Sequence, residues 1–161
     1  METEGRAYRV LFVCTGNTCR SPMAEAIARR ELAKLGWNGV EVESAGAATV
    51  DGMPASAGAL RAVNRYDLDL ADHRSRALTG DIVEGADLIL VMSGGHLARV
   101  RELGGGDRAA LLTAFAEDSG DEDGGVPDPF GGDDALYERT FEALEDLVGR
   151  SLRRLEPILA P

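Results

Sequence analysis

The sequence predicts an α/β fold: one domain over residues 1–161, with a four-stranded parallel sheet flanked by helices. Two observations carry this expectation. Short apolar runs of strand length alternate with segments whose apolar residues recur every three or four positions, the pattern of strands joined by helices. No internal repeat interrupts the chain, nor does any linker long enough to separate two cores, and 161 residues suffice for one core.

The first strand is the apolar run at about 8–13. The first helix follows from about Ser21 to Leu35, with Ala24, Ile27, Ala28, Leu32 and Leu35 on one face. Pro22 suits its first turn and Gly36 its end. Val40 to Ser44 alternates as a strand does, and Pro54 to Tyr66 reads as the second helix. Thr79 to Gly85 is expected as a short helix, Asp87 to Met92 as the most buried strand, Gly95 to Leu103 as a helix and Arg108 to Leu112 as a last short strand. Glu117 to Gly125 is acidic and glycine-rich, the composition of a solvated loop. The final helix, about Asp134 to Leu155, aligns Tyr137, Phe141, Leu144, Val148, Leu152 and Leu155, with Asp133 or Asp134 as its cap. Right-handed crossovers pack the first helix back on the sheet. They place the residue after the first strand at the carboxyl edge, where open α/β sheets bind ligands.

That residue is Cys14. Thr15, Gly16, Asn17, Thr18 and Cys19 separate it from Arg20 and Ser21, a loop matched in size to one tetrahedral oxyanion. Gly16 and Asn17 stand where the loop must turn tightly or visit positive φ. On a strand-to-helix turn, free amides, the helix dipole and the Arg20 guanidinium sum to an oxyanion site. The same field favours the thiolate of Cys14, and a thiolate beneath a bound phosphate is placed to attack phosphorus. Arg20 offers a planar fork for two phosphate oxygens and for equatorial charge in the transition state. Ser21 donates to the thiolate and steadies it as a leaving group. Inorganic phosphate, sulfate and vanadate are expected ligands of this loop, because each presents matching oxygens.

The charge balance narrows the function classes. A net charge of −11, from 17 basic and 28 acidic side chains, disfavours nonspecific binding to nucleic acid or anionic membranes. Any phosphate site must therefore be local, built against the global field. No apolar run reaches the length of a membrane span, and residues 1–5 lack the basic-then-apolar plan of a signal peptide. A cytoplasmic protein is expected, with two cysteines that form no disulfide scaffold. Two histidines and two cysteines without ligand spacing make no case for zinc, and no cofactor is expected. His96 is expected on the surface of its helix.

Val13-Cys-Thr-Gly-Asn-Thr-Cys-Arg-Ser-Pro-Met-Ala-Glu25 resembles the signature of the low-molecular-weight protein tyrosine phosphatases. The likeness extends to Ser44-Ala-Gly46, Asp72-His-Arg-Ser75 and Asp128-Pro-Phe-Gly-Gly132, and so covers nearly the whole chain. It implies hydrolysis of phosphorylated protein substrates through a phosphocysteine on Cys14, with Asp128 as general acid and then as the base that activates water. A positioned acid contributes roughly a hundredfold or more, and Pro127 and Pro129 stiffen the backbone on either side of Asp128. Without the resemblance, Asp128 reads as a turn or helix-entry residue. Asp118, Asp121, Asp123, Asp133 and Asp134 are weaker candidates. The resemblance also implies that Ser44 and His73 support the loop through Asn17, and that Cys19 forms a protective disulfide with an oxidised Cys14. The residues alone read Cys19 equally as a small buried thiol under the loop. A monomer or weak dimer is expected.

The substrate is narrowed by what the walls lack. Tyrosine-directed relatives often carry Asp-Pro-Tyr with a further aromatic, whereas this chain has Asp128-Pro-Phe130 and no aromatic residue from Ala45 to Gly52. Phe130 is the main substrate wall, and Trp37 lies far from the loop in sequence. Thr18 stands where tyrosine-directed relatives commonly have Ile. In both respects the chain more closely resembles the bacterial protein-arginine phosphatases of the family, so phosphoarginine is the expected substrate and phosphotyrosine the alternative. A non-catalytic oxyanion-binding or redox-sensing module would need Arg20 but not Asp128, and a cysteine phosphocarrier would hydrolyse slowly. An arsenate reductase of the same fold would need relay cysteines beyond Cys19, which the chain lacks.

Overall fold

The computed structural model describes residues 6–121 and 124–161. The first apolar run forms β1 (Tyr8–Cys14), and the strand-like segments after it form β2 (Val40–Gly46), β3 (Leu88–Val91) and β4 (Ala109–Leu111). All pair in parallel in the order β2-β1-β3-β4. The chain thus leaves β1 toward one edge and returns on its other side to make β3. The carboxyl ends of β1 and β3 therefore flank the switch point at which such sheets bind ligands.

The period of two along β1 sorts its side chains between two apolar layers. Val10, Phe12 and Cys14 face α1 (Arg20–Leu35), α2 (Ala57–Asn64) and α6 (Asp134–Leu159), whereas Leu11 and Val13 face α3 (Gly80–Glu84) and α4 (Gly94–Glu102). All six stripe residues named for the last helix, Tyr137 to Leu155, are buried in the first layer. Phe141 is fully buried and stacks on Tyr66 at 4.2 Å between ring centroids. Gly36 ends α1 in the left-handed region at φ 73°, as its lack of a Cβ allows.

Several boundaries differ from the sequence expectation. The helix expected from Pro54 begins only at Ala57, because Pro54 is held extended in a bridge to Arg74 and Ser56 caps the helix by accepting from the Ala59 amide. Leu35 is exposed: in the last turn of α1 it lines a hollow between α1 and α6 with Trp37, Gly149 and Leu152. Leu112, expected as the end of the last strand, instead opens α5 (Leu112–Glu117), a helix not expected from the sequence. Six residues carry little propensity signal; packing on α6 holds them, with the Arg154 guanidinium 4.2 Å over the Phe115 ring. The last helix runs past Leu155 through Pro157 to Leu159. At Pro157 it forgoes only one backbone donor, in its final turn.

Of the acidic residues named as weaker candidates, Asp133, Asp134 and Asp118 have structural partners here. Asp133 caps α6 by accepting from the Leu136 amide, Asp134 pairs with Arg61 and Arg65 of α2, and Asp118 pairs with Arg154. Asp123 lies outside the described residues, so the expected Glu117–Gly125 loop is described only in part. Among the described residues no helix is long and apolar enough to cross a membrane.

Replacing Phe141 by Ala removes a ring that the α6 stripe and Tyr66 enclose. The unfolding free energy is expected to fall by about 3–5 kcal/mol in urea titration; a loss below about 1 kcal/mol would mean that this layer repacks freely.

Candidate active site

The loop between β1 and α1 is shaped by where its carbonyls go. Cys14 and Thr15 give their carbonyls to the amides of Ala47 and Ala48, at 2.8 and 3.0 Å. The Asn17 carbonyl accepts from His73 Nε2 at 2.7 Å, and that of Thr18 accepts from the Ser56 amide at 2.9 Å. Peptide planes are trans throughout the described residues, so each N–H points opposite to the carbonyl that precedes it. With those carbonyls turned outward to the scaffold, the amides of Thr15, Gly16, Thr18 and Cys19 turn the other way. They face a cavity of about 200 Å³ lined by Cys14, Thr15, Gly16, Thr18, Cys19, Arg20, Asp128 and Phe130. This is a nest for an oxyanion, made of backbone and independent of the overall negative charge.

Asn17 is the keystone of the loop. Its φ of 57° is a left-handed value, which asparagine tolerates better than most residues; Gly16 does not share it. Its fully buried side chain uses every polar atom: Oδ1 accepts from the Arg76 amide at 2.8 Å, and Nδ2 donates to Ser21 Oγ and Ser44 Oγ, both at 2.9 Å. Ser44 in turn donates to Glu25 at 2.6 Å, and Arg29 holds Glu25 from the next turn of α1. Because Ser21 Oγ accepts from Asn17, its own proton is free for Cys14 Sγ, 3.0 Å away. The Ser21 amide also reaches the sulfur, at 3.5 Å. The chain Glu25–Ser44–Asn17–Ser21 thus ends on the Cys14 sulfur with a hydroxyl donor.

Arg20 is 4% exposed. Nη1 donates to the Val126 carbonyl at 2.8 Å, and Nη2 reaches Thr15 Oγ1 at 3.3 Å and Asp128 Oδ2 at 3.5 Å. Its Nε is buried and pairs with none of the described residues, a donor left for a ligand oxygen. The segment carrying Val126 docks on the end of β3: the Val126 amide donates to Met92, and Ser93 bridges to Gly125. Only glycine fits there, because a Cβ on Gly125 would lie 2.3 Å from the Met92 carbonyl oxygen. That docking delivers Asp128, whose side chain is 47% exposed and whose Oδ1 accepts from the Phe130 amide at 3.0 Å. Phe130 is 71% exposed beside it.

Cys19 is buried under the loop, its sulfur 3.3 Å from both Ser56 Oγ and Tyr137 Oη. The Tyr137 hydroxyl is pushed up to about 12, first by burial and then by its bond to Cys19. Both cysteines are free.

One residue departs from the sequence expectation. His96, expected on the surface, is 6% exposed and sits in the first turn of α4 with Nε2 2.8 Å from Thr15 Oγ1. A helix that begins at the carboxyl end of β3 must begin beside the loop after β1, since the two strands are neighbours. The signal available in the sequence was therefore positional: a histidine three residues after the Ser93 cap.

The sequence pattern of the family described as "Low molecular weight phosphotyrosine protein phosphatase" matches residues 9–157. The protein-arginine-phosphatase of Geobacillus stearothermophilus is 37% identical over 92% of this chain and 97% of its own length. The low molecular weight protein-tyrosine-phosphatase of Streptomyces coelicolor is 40% identical over 86% and 87%. Among solved structures, a YwlE arginine phosphatase mutant with a phosphorylated active-site serine superposes with a TM-score of 0.87 at 35% identity, covering 93% of this chain and 97% of that one.

The His96 ring is pushed down to about 4 from an ordinary 6.5, first by burial and then by the Arg20 guanidinium, with Asp128 opposing. The unfolded chain binds a proton below about 6.5 that the folded protein refuses until about 4, so this residue makes folding less favourable as pH falls through that window. Stability in urea is expected to drop between those limits, and His96→Leu to remove on the order of 1–3 kcal/mol of the drop. The same slope in both proteins would contradict a buried, neutral His96.

Proposed function

The chain belongs to the low molecular weight phosphotyrosine protein phosphatase family, and on that premise we propose that it hydrolyses phosphoarginine in proteins through a phosphocysteine on Cys14. Family membership makes it a cysteine-dependent protein phosphatase; the substrate and the residue roles are our reading. The observation that carries the choice of substrate is the cavity wall. Of the residues lining it, Phe130 alone is aromatic, and it stands largely in solvent. A phenyl ring would find little to stack on, whereas a guanidinium would meet the Asp128 carboxylate and the Thr18 hydroxyl. The full-length likeness to a protein-arginine-phosphatase supports the same choice.

The reaction runs in two in-line steps. The phosphoryl group sits in the amide nest with Arg20 bridging two oxygens, and the Cys14 sulfur attacks phosphorus from below. The P–N bond breaks as Asp128 gives its proton to the departing guanidine nitrogen. Ser21, donating to the sulfur, steadies it as the leaving group of the second step. A water then attacks the phosphocysteine as Asp128 takes a proton from it, releasing inorganic phosphate. Throughout, the nest amides and Arg20 hold the equatorial oxygens, where charge accumulates in the transition state. Sulfate and vanadate are expected to occupy the same nest.

The test is kcat/KM for matched phosphoarginine and phosphotyrosine peptides, with Cys14→Ala as the blank. Phosphoarginine is expected to be preferred, and Thr18→Ile to shift the ratio toward phosphotyrosine. Preference for phosphotyrosine would overturn the substrate choice, and no turnover above the blank would overturn the phosphatase reading. Asp128→Ala is expected to lower kcat by about a hundredfold or more while phosphate affinity is kept; retained turnover would remove Asp128 from its role.

A further inference from the structure

Thr15 Oγ1 is a junction between two groups from different parts of the fold. Arg20 Nη2 lies 3.3 Å from it and His96 Nε2 lies 2.8 Å from it. A guanidinium only donates, so the hydroxyl oxygen accepts from Arg20. Its remaining bond is to His96, either through its own proton to a bare Nε2 or through its second lone pair to an Nε2–H. Both tautomers of a neutral ring serve.

The two partners of this hydroxyl are held very differently. Thr15 itself is exposed at the mouth of the cavity, and an exposed threonine has alternative staggered χ1 wells. His96 is buried in the first turn of a capped helix, with Ser93 accepting from its amide. Only the Thr15 rotamer that puts Oγ1 between the imidazole and the guanidinium makes both bonds. His96 thus removes freedom that Thr15 would otherwise have, and Thr15 passes that constraint to Arg20. The other anchors of Arg20 come from elsewhere: Val126 on Nη1, and Asp128 at the longer distance of 3.5 Å on Nη2. If Asp128 leaves Arg20 to protonate the departing group, Thr15 is what remains to orient Nη2. The Nδ1 of His96 is buried and pairs with none of the described residues. The ring therefore retains an uncompensated polar atom at this position, where an apolar side chain of similar size would leave none.

Resting on the phosphatase reading above, we propose that His96 is a positioning residue for the reaction: through the Thr15 hydroxyl it holds the Arg20 guanidinium in the orientation that receives the transferring phosphoryl group. A charged imidazolium would add a like charge beside Arg20, so the residue works as a neutral ring. It never touches substrate, and its effect travels through one side chain only.

That single route makes the inference testable with a double-mutant cycle on the full chain, using para-nitrophenyl phosphate so that the amino acid of the substrate does not matter. Thr15→Val and His96→Leu are each expected to lower kcat by about tenfold with KM changed by less than about threefold, the pattern of an interaction that matters in the transition state. The double variant is expected to be no more than about twofold worse than either single one, because both remove the same link. His96→Gln, whose amide reaches toward Thr15, is expected to recover at least half of the lost kcat. Thermal unfolding of each variant separates folding defects from kinetic ones. If His96→Leu does not fold, the comparison passes to Thr15→Val and His96→Gln alone: a Thr15→Val protein with unaltered kcat overturns the proposal. Losses that multiply in the double variant, or a His96→Leu protein with lowered stability and unaltered kcat, overturn it as well. An unmodified protein that does not hydrolyse para-nitrophenyl phosphate would instead overturn the phosphatase reading itself.

Discussion

A short loop can bind a doubly charged ligand in an acidic protein only if its amides converge, and amides converge only if the carbonyls are held elsewhere. Here the carbonyls of Cys14, Thr15, Asn17 and Thr18 are taken by donors from three other segments: Ala47 and Ala48, His73, and Ser56. The planarity of the peptide then leaves no choice about the direction of the intervening N–H groups. Everything else at the site depends on this arrangement. The register Cys14↔Gly46 between β1 and β2 sets which donors come within reach. The left-handed φ of Asn17 lets the chain turn back toward α1 in so few residues.

The same scaffold serves two purposes through one side chain. Asn17 ties the loop to Arg76 and Ser44, and its donation to Ser21 orients the hydroxyl proton toward the sulfur of Cys14. Buried polar networks of this kind are costly when any member is unpaired. This one is closed at its far end by the Glu25–Arg29 ion pair on α1, and it runs to the thiol without an orphan among its members. The rigidity of the loop and the donor that meets the Cys14 sulfur are thus properties of the same set of hydrogen bonds.

The cavity is completed from the other half of the sheet. The 124–130 segment lies across the end of β3 and carries both the Val126 carbonyl that anchors Arg20 and the Asp128 carboxylate. Asp128 stays half in solvent, which suits the proton transfers proposed for it. Phe130 contributes one exposed ring and no enclosure. The shape favours recognition by charge and hydrogen bonding over stacking, and that is the basis for preferring a guanidine over a phenol as the leaving group.

The amino-acid sequence by itself determined the order of the elements, the parallel sheet, the buried stripe of α6 and the Cys14–Arg20 loop. These depend on local periodicity and on residues adjacent in the chain. It also singled out Asp128, which the structure places at the cavity, though only by resemblance to a family motif, since an aspartate between two prolines has no local property that marks it for a site. The tertiary structure alone decided the rest. α5 exists because α6 packs against a segment too short to be helical on its own. Leu35 is exposed because the last turn of α1 borders a hollow beside α6 and not a packed face. His96 reaches Thr15 because β1 and β3 are neighbours, a pairing between residues far apart in the chain. In each case the deciding contact joins segments distant in sequence, and such contacts leave no period or motif to be read in either segment alone.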